Sequence, residues 1–281
     1  MIVDFHQHST ASDGTCTPKE IAEMAQKFDA AALTDHDNLD GVEEFLSAVK
    51  SARRYAGVEL SIEAGEVFDK FHLLALGVDA KAHSFAALLA RIREEREDRN
   101  ERIRSNFNRI GIPIVPTHEG RVLGRPHFAR WLIANGYAET LSEAFEKYLL
   151  PDSPASTRCY ESRWRPKQED VFKAVHEAGG VAIMAHPKFS SRAWRLGSCD
   201  FNLAERSLAE LKEKGLDGVE AIYAANSPED NVEFSRMAIK LGLLASAGSD
   251  YHGANKKVMA PGIEVSEHFI APLLERLQDC K

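Results

Sequence analysis

"MIVDFHQHST", residues 1–10, decides how the rest of the chain is read. The run is short, rich in β-formers and ends in two histidines one residue apart. Side chains alternate along a strand, so His6 and His8 share one side of it, at its C-terminal end. The next stretch, "TPKEIAEMAQKF" at 17–28, predicts a helix, with Thr17 as N-cap, Pro18 in the first turn and Glu20 completing a capping box. "AAALTDHD" at 30–37 is a second apolar run, and it too ends in an imidazole, His36.

The alternation continues. Residues 41–56 read as a helix, "VELSIEAGEV" at 58–67 as a strand and "FHLLALGV" at 71–78 as another. Strands alternating with helices point to a parallel sheet or barrel. Only Val67 to Phe71 lie between Glu66 and His72. A parallel crossover needs a dozen residues or more, so these two strands are expected to be antiparallel, or one bent strand.

From 81 to 165 the texture changes to helix without a clear strand: "SFAALLARIREEREDRNERIRSNFNRI", "RPHFARWLIANG" and "TLSEAFEKYL". The expected organisation is a barrel from 1–80 and 166–281, with a helical insertion at 81–165 contributing to the substrate pocket. After the insertion, helices alternate with the strands "VAIMAHP", "DGVEAIYA" and "LLASAGSDYHG".

With 281 residues, the chain suits one large α/β domain or one domain carrying an insertion. A net charge of −8 argues against a broad basic surface for long duplex nucleic acid, but leaves room for a small phosphorylated ligand or short RNA. No apolar run is long enough to span a bilayer, and the N-terminus lacks the basic and apolar segments of a signal peptide, so the expected location is cytoplasmic. Cys16, Cys159, Cys199 and Cys280 form no CxxC pair, which disfavours a disulfide framework or a thiolate zinc site.

The polar residues recur at strand ends. His36, Glu66, His186, and the pair Asp250 and His252 all close strands, and His72 opens one that an antiparallel turn would bring to the same rim. A barrel gathers such ends at one mouth. Several imidazoles would then meet the carboxylates of Asp13, Glu66 and Asp250. Buried carboxylates repel one another, divalent cations remove that cost, and mixed imidazole and carboxylate donors suit Zn, Mn or Fe. His83 and His176 sit on predicted helices and receive no role; His118 falls in a loop.

Six motifs in order, "DFHQHSTASDGT", "LTDHDNLDG", "GEV" followed by "HLLALG", "GRPHFARWL", "GGVAIMAHP" and "AGSDYHG", resemble those of the polymerase and histidinol phosphatase (PHP) metal-dependent phosphoesterases. The resemblance implies a distorted seven-stranded (βα) TIM-like barrel with two to three divalent ions at its mouth. Its implied ligands are His6, His8, Asp13, His36, Glu66, His72, His127, Asp250 and His252. The likeness is closer to members with a helical insertion that act on nucleotide-type phosphoesters, and Asp13 supports that branch over the histidinol phosphatase branch. "KFSSRAWRLGSCD" after "AHP" is longer and more basic than the family's usual segment, which points to a different substrate.

In such a site two metals share a water, lower its pKa and hold the oxygens of an in-line displacement. His186 is expected to contact the scissile phosphate or assist the leaving group, and Asp37 to orient a ligand or water. Arg125 reads equally as a phosphate clamp or a surface ion pair. Lys188 and Arg192 could read a second phosphate or belong to a solvated loop. Arg99 and Asn100 are the candidates if the insertion covers the site, against a solvated, salt-bridged face. The leading expectation is hydrolysis of a small nucleotide's phosphomonoester, such as a nucleoside 3',5'-bisphosphate. The rivals are a phosphodiesterase opening a cyclic phosphate, a 5'-3' exoribonuclease on short RNA, and a non-catalytic metal-bound binding module.

Overall fold

The computed structural model describes residues 1–48, 53–63, 70–116, 123–190, 200–256 and 260–278. The chain forms two compact units. One comprises Met1–Leu89 with Arg165–Lys281, the other Ala90–Trp164.

The larger unit is a mixed α/β structure built on eight strands: β1 (Ile2–Asp4), β2 (Ala30–Leu33), β3 (Arg53–Glu63), β4 (Lys70–Leu76), β5 (Val181–Met184), β6 (Gly218–Tyr223), β7 (Leu244–Gly248) and β8 (Ile263–Glu264). Their order is β7-β6-β5-β4-β3-β2-β1-β8. β4 runs antiparallel to both β3 and β5, and the other pairings among β1 to β7 are parallel. The short 64–69 connection permits nothing else.

The sheet curls into a nearly closed barrel because β1 continues beyond Asp4 and meets β7 and its continuation. Phe5 N–H donates to Ala247 O (3.0 Å), Asp250 N–H to His6 O (2.8 Å) and His8 N–H to Tyr251 O (2.8 Å). β8 adds an antiparallel strap on the opening residues of β1. The architecture is therefore the distorted TIM-like barrel expected, with β8 as a strand too short to show in the sequence.

β2 shows why its sequence sits where it does. All four of its residues are buried, as a parallel strand covered on both faces requires. Ala30 and Ala32 join the cluster of Val3, Phe5, Leu74, Leu76, Ile183 and Ala247. Ala31 and Leu33 face the other way, against Ile21, Ala22, Ala25 and Phe45. The first helix, α1 (Pro18–Met24), begins at the predicted cap: Glu20 N–H donates to Thr17 Oγ1 (3.2 Å), and Thr17 N–H donates to Glu20 Oε2 (2.7 Å). The second helix, α2 (Val42–Ala48), departs from its expected extent of 41–56. Arg53 to Ala56 instead begin β3, paired with Ala30 to Leu33. Their residues favour helix intrinsically, but the open edge of β2 supplies backbone partners that outweigh the local preference.

The smaller unit is helical. α3 (His83–Arg109) runs into it, followed by α4 (Arg125–Ala134) and α5 (Leu141–Ala144), which continues as a π-helical turn to Leu149. Its core includes Ile103, Phe107, Phe128, Leu132, Tyr148 and Leu149, with Trp131 packed at the margin. Phe128 and Trp131 thus build this unit's interior.

One buried carboxylate links the closing strands. Asp4 is fully buried and accepts from Ser249 N (3.0 Å), Ser249 Oγ (2.6 Å), Gly262 N (2.9 Å) and His6 N (3.2 Å). Burial pushes its carboxyl up to about 6, against these bonds. Asp4→Ala would strand those donors, and we expect it to lower stability by roughly 2–4 kcal/mol in urea or guanidinium unfolding. A variant as stable as the parent would show that the strand closure does not depend on it.

Candidate metal centre

The strand continuations carry the polar residues to one end of the barrel. His6 and His8 follow β1, His36 follows β2, His72 lies in β4, His186 follows β5, and Asp250 and His252 follow β7. Asp13 belongs to the turn after His8, which is held from below. There the buried Asp35 accepts from Ser9 N (2.8 Å), Ser9 Oγ (2.6 Å) and Ser12 Oγ (2.5 Å). Three non-glycine residues of this rim have positive φ: Asp37 (55°), His186 (29°) and Asp250 (54°). Such backbone is costly and persists where surrounding contacts over-determine it, commonly at functional sites. Asp250 is held by its N–H to His6 O and by Tyr223 Oη, which donates to Asp250 Oδ2 at 2.8 Å.

Glu59 lies at the centre. Its Oε1 is 2.7 Å from His72 Nδ1, 3.0 Å from His186 Nε2 and 3.4 Å from His6 Nε2; its Oε2 is 2.8 Å from His36 Nδ1 and 3.2 Å from His8 Nε2. Asp250 Oδ1 lies 3.5 Å from His6 Nε2, 3.4 Å from His8 Nε2 and 3.3 Å from His252 Nδ1. Asp13 Oδ1 is 3.3 Å from His252 Nε2 and 3.8 Å from His36 Nε2.

These spacings are those of donors sharing an ion. Two atoms bound at ~2.1 Å to one tetrahedral cation lie about 3.4 Å apart. Four overlapping sets offer donor atoms within 4.8 Å of one another: His8, Asp13, His36 and His252; His6, His186 and Asp250; His6, His8 and Glu59; His36, Glu59 and His72. The hydrogen-bond pattern agrees. His6 Nε2, both nitrogens of His8, Asp13 Oδ1, His36 Nδ1, Glu59 Oε2 and His186 Nδ1 are buried without a hydrogen bond of good geometry. Buried polar atoms without partners are rare and costly, and a bound cation satisfies them. The donor set contains imidazole and carboxylate and no thiolate, which fits a divalent metal of the Mn, Fe or Zn type.

The electrostatics point the same way. Burial opposes the charged forms of Asp13, Glu59 and Asp250, yet the surrounding imidazoles hold all three well below the usual carboxylate range. Burial likewise opposes charge on His6 and His8; the carboxylates outweigh it, and His8 rises to about 9. The cluster demands positive charge, from protons or from metal. Lys256 meets the same demand from outside, pairing with Asp250.

The expected residues divide plainly. The structure brings together His6, His8, Asp13, His36, His72, Asp250 and His252. It also brings in His186, expected to contact the scissile phosphate or assist the leaving group, with a donor atom within 4.8 Å of those of His6 and Asp250. Asp37 is buried and accepts from Ser61 N (3.2 Å), so it ties the end of β2 to β3. Lys188 is ion-paired with Asp230 rather than presented alone. Glu66 and Arg192 lie outside the described residues.

His127, Arg99, Asn100 and Arg125 belong to the helical unit. There His127 Nδ1 accepts from Gly124 N–H (3.0 Å), Asn100 donates to Leu123 O (3.0 Å) and Arg99 is buried. Arg125 donates to Leu149 O (3.2 Å) and lies 5.5 Å from the Tyr160 ring centroid.

Glu59 was not anticipated because attention to strand ends passes over it. The mouth cuts β3 at Glu59, which bridges to His36, while β3 continues four residues further in its hairpin with β4. The signal was present: Glu59 is an acid inside the apolar run "GVELSI".

The comparisons agree with this geometry. A family model described as the PHP domain matches residues 4–148. A 3',5'-nucleoside bisphosphate phosphatase of Chromobacterium violaceum is 33% identical over 266 residues, covering 89% of this chain and 87% of that protein. The 5'-3' exoribonuclease Rnm of Salmonella typhimurium is 28% identical over 267 residues, covering 90% and 85%. A solved structure from Bifidobacterium adolescentis, described as a metal-dependent phosphoesterase, superposes with a TM-score of 0.79 at 28% identity, covering 98% of this chain and 96% of that one. The chain belongs to the PHP family, and it is a metal-dependent hydrolase of phosphoric ester bonds.

Proposed function

We propose that the protein hydrolyses a phosphomonoester of a small nucleotide, with a nucleoside 3',5'-bisphosphate as the leading substrate. The products would be inorganic phosphate and a nucleoside 5'-monophosphate. The observation that carries this reading is the convergence of imidazoles and carboxylates around Glu59. It is joined by likeness to a phosphatase of that substrate over 89% of the chain. Two to three divalent ions of Mn, Fe or Zn would supply Lewis-acid polarisation of the phosphoryl group and a lowered pKa for water.

The chain's own groups do the rest. His6, His8, Glu59 and Asp250 would hold one ion, Glu59 and His72 would contribute to a second, and Asp13, His36 and His252 would hold a third. Tyr223 fixes the Asp250 carboxylate through its hydroxyl. His127 is retained as a further ligand, and Arg99, Asn100, Arg125, Lys188 and Arg192 as phosphate or ribose contacts. Lys188 would have to exchange Asp230 for substrate. Among the described residues no helix is long and apolar enough to cross a membrane. A cytoplasmic location is part of this proposal.

A second reading, 5'-3' exonucleolytic trimming of short RNA, is favoured by the likeness to the Salmonella exoribonuclease. A panel of nucleoside 3',5'-bisphosphate, a cyclic nucleotide and a 5'-phosphorylated oligoribonucleotide separates these activities. We expect phosphate release from the first to be fastest. Turnover of either other substrate, with none of the first, would overturn the ranking.

Glu59→Gln should lower metal content and reduce kcat/KM by ~100-fold or more, with circular dichroism unchanged. Full activity and metal content in this variant would remove Glu59 from the centre. Arg125→Ala should chiefly raise KM if its guanidinium binds phosphate in ground and transition states alike; unchanged steady-state constants would remove it from the site.

A further inference from the structure

We propose that Glu220 is the positioning residue of the centre, setting which nitrogen His6 offers to a metal and fixing the backbone from which His186 projects. The inference rests on the reading that the cluster binds divalent ions, and concerns a residue no ligand set includes.

Glu220 lies in β6 and is fully buried. Its two oxygens meet two different donors. Oε1 is 3.0 Å from His6 Nδ1, and Oε2 accepts from the His186 backbone N–H at 2.6 Å. A carboxylate only accepts hydrogen bonds, so beside it a neutral, metal-binding His6 carries its proton on Nδ1. Its lone pair is then confined to Nε2, the atom 3.4 Å from Glu59 Oε1 and 3.5 Å from Asp250 Oδ1. That nitrogen is buried with no hydrogen bond of its own. The contact to His186 acts on backbone: this residue holds a φ of 29°, and its N–H is tied at the strained position.

Two features of the strands make room for this carboxylate. The pairing of β6 with β7 shifts register between Glu220 and Ile222, an irregularity that re-aims side chains. On β7, Gly248, paired with Tyr223, leaves the space that Glu220 and His6 occupy. A Cβ there would fall 2.4 Å from Glu220 Oε1 and 2.4 Å from His6 Cβ.

Glu220→Gln is the discriminating change. A carboxamide has one acceptor oxygen and one NH2, so it can serve only one of the two donors. If the NH2 turns toward His6, the imidazole proton moves to Nε2 and blocks ligation. If it turns toward His186, two N–H groups oppose each other at the strained backbone. Either way the centre is loosened without a change in side-chain size.

The test uses the full chain loaded with zinc. Nitrogen-15 NMR of the wild type should show His6 protonated at Nδ1 and metal-bound at Nε2. Competition with a chelator should show Glu220→Gln binding zinc ~10–100-fold more weakly. Thermal denaturation of the metal-free forms separates this from a loss of folding. A His6 proton on Nε2 in the zinc-loaded wild type would overturn the inference even if the variant failed to fold. Wild-type zinc affinity in the variant would overturn it too, while leaving the metal centre standing. A wild type that binds no zinc would overturn the metal reading and this inference together.

Discussion

Everything at the mouth of this barrel follows from one constraint: ionised carboxylates cannot be buried side by side without positive charge between them. Glu59 and Asp250 are almost wholly enclosed, and both are within 3.5 Å of several imidazole nitrogens. Proteins meet this constraint with protons, basic side chains or metal ions. Here imidazoles outnumber acids, their spacing is that of ligands on a common ion, and many of their nitrogens are left without hydrogen bonds. Divalent cations meet all three conditions at once. Membership of a family of metal-dependent phosphoesterases gives that arrangement its chemistry.

The barrel is shaped to impose the constraint. Strand ends gather because β1 and β7 continue past their paired segments and close on each other, and Asp4 braces that closure with its buried carboxylate. β4, the single reversed strand among β1 to β7, brings His72 to the same rim as residues that follow parallel strands. Positive φ at Asp37, His186 and Asp250 records the cost of turning the chain sharply while keeping side chains inward. A fold that pays for strain at three such points does so where side-chain direction matters more than backbone comfort.

Much of this was legible in the sequence, for physical reasons. Period-2 alternation placed His6 and His8 on one side, capping chemistry fixed the start of the first helix at Thr17, and the short link before His72 required an antiparallel pair. Recurrence of His and Asp at strand ends then located the centre. What stayed hidden depended on distant partners. Glu59 is interior to its strand because the mouth crosses β3 part-way along, which no local pattern reveals. Arg53 to Ala56 look helical until β2 offers an edge. Glu220 sits in a strand buried on both faces, and its partner His6 lies 214 residues away.

If cations occupy the space among these donors, anomalous diffraction from crystals of the metal-replete protein will locate them. Two or three peaks are expected, each within bonding distance of Glu59, Asp250 or Asp13 and of at least two imidazole nitrogens. Diffraction showing the same side chains converged with no anomalous density among them, from protein prepared with excess manganese, iron or zinc, would contradict that occupancy.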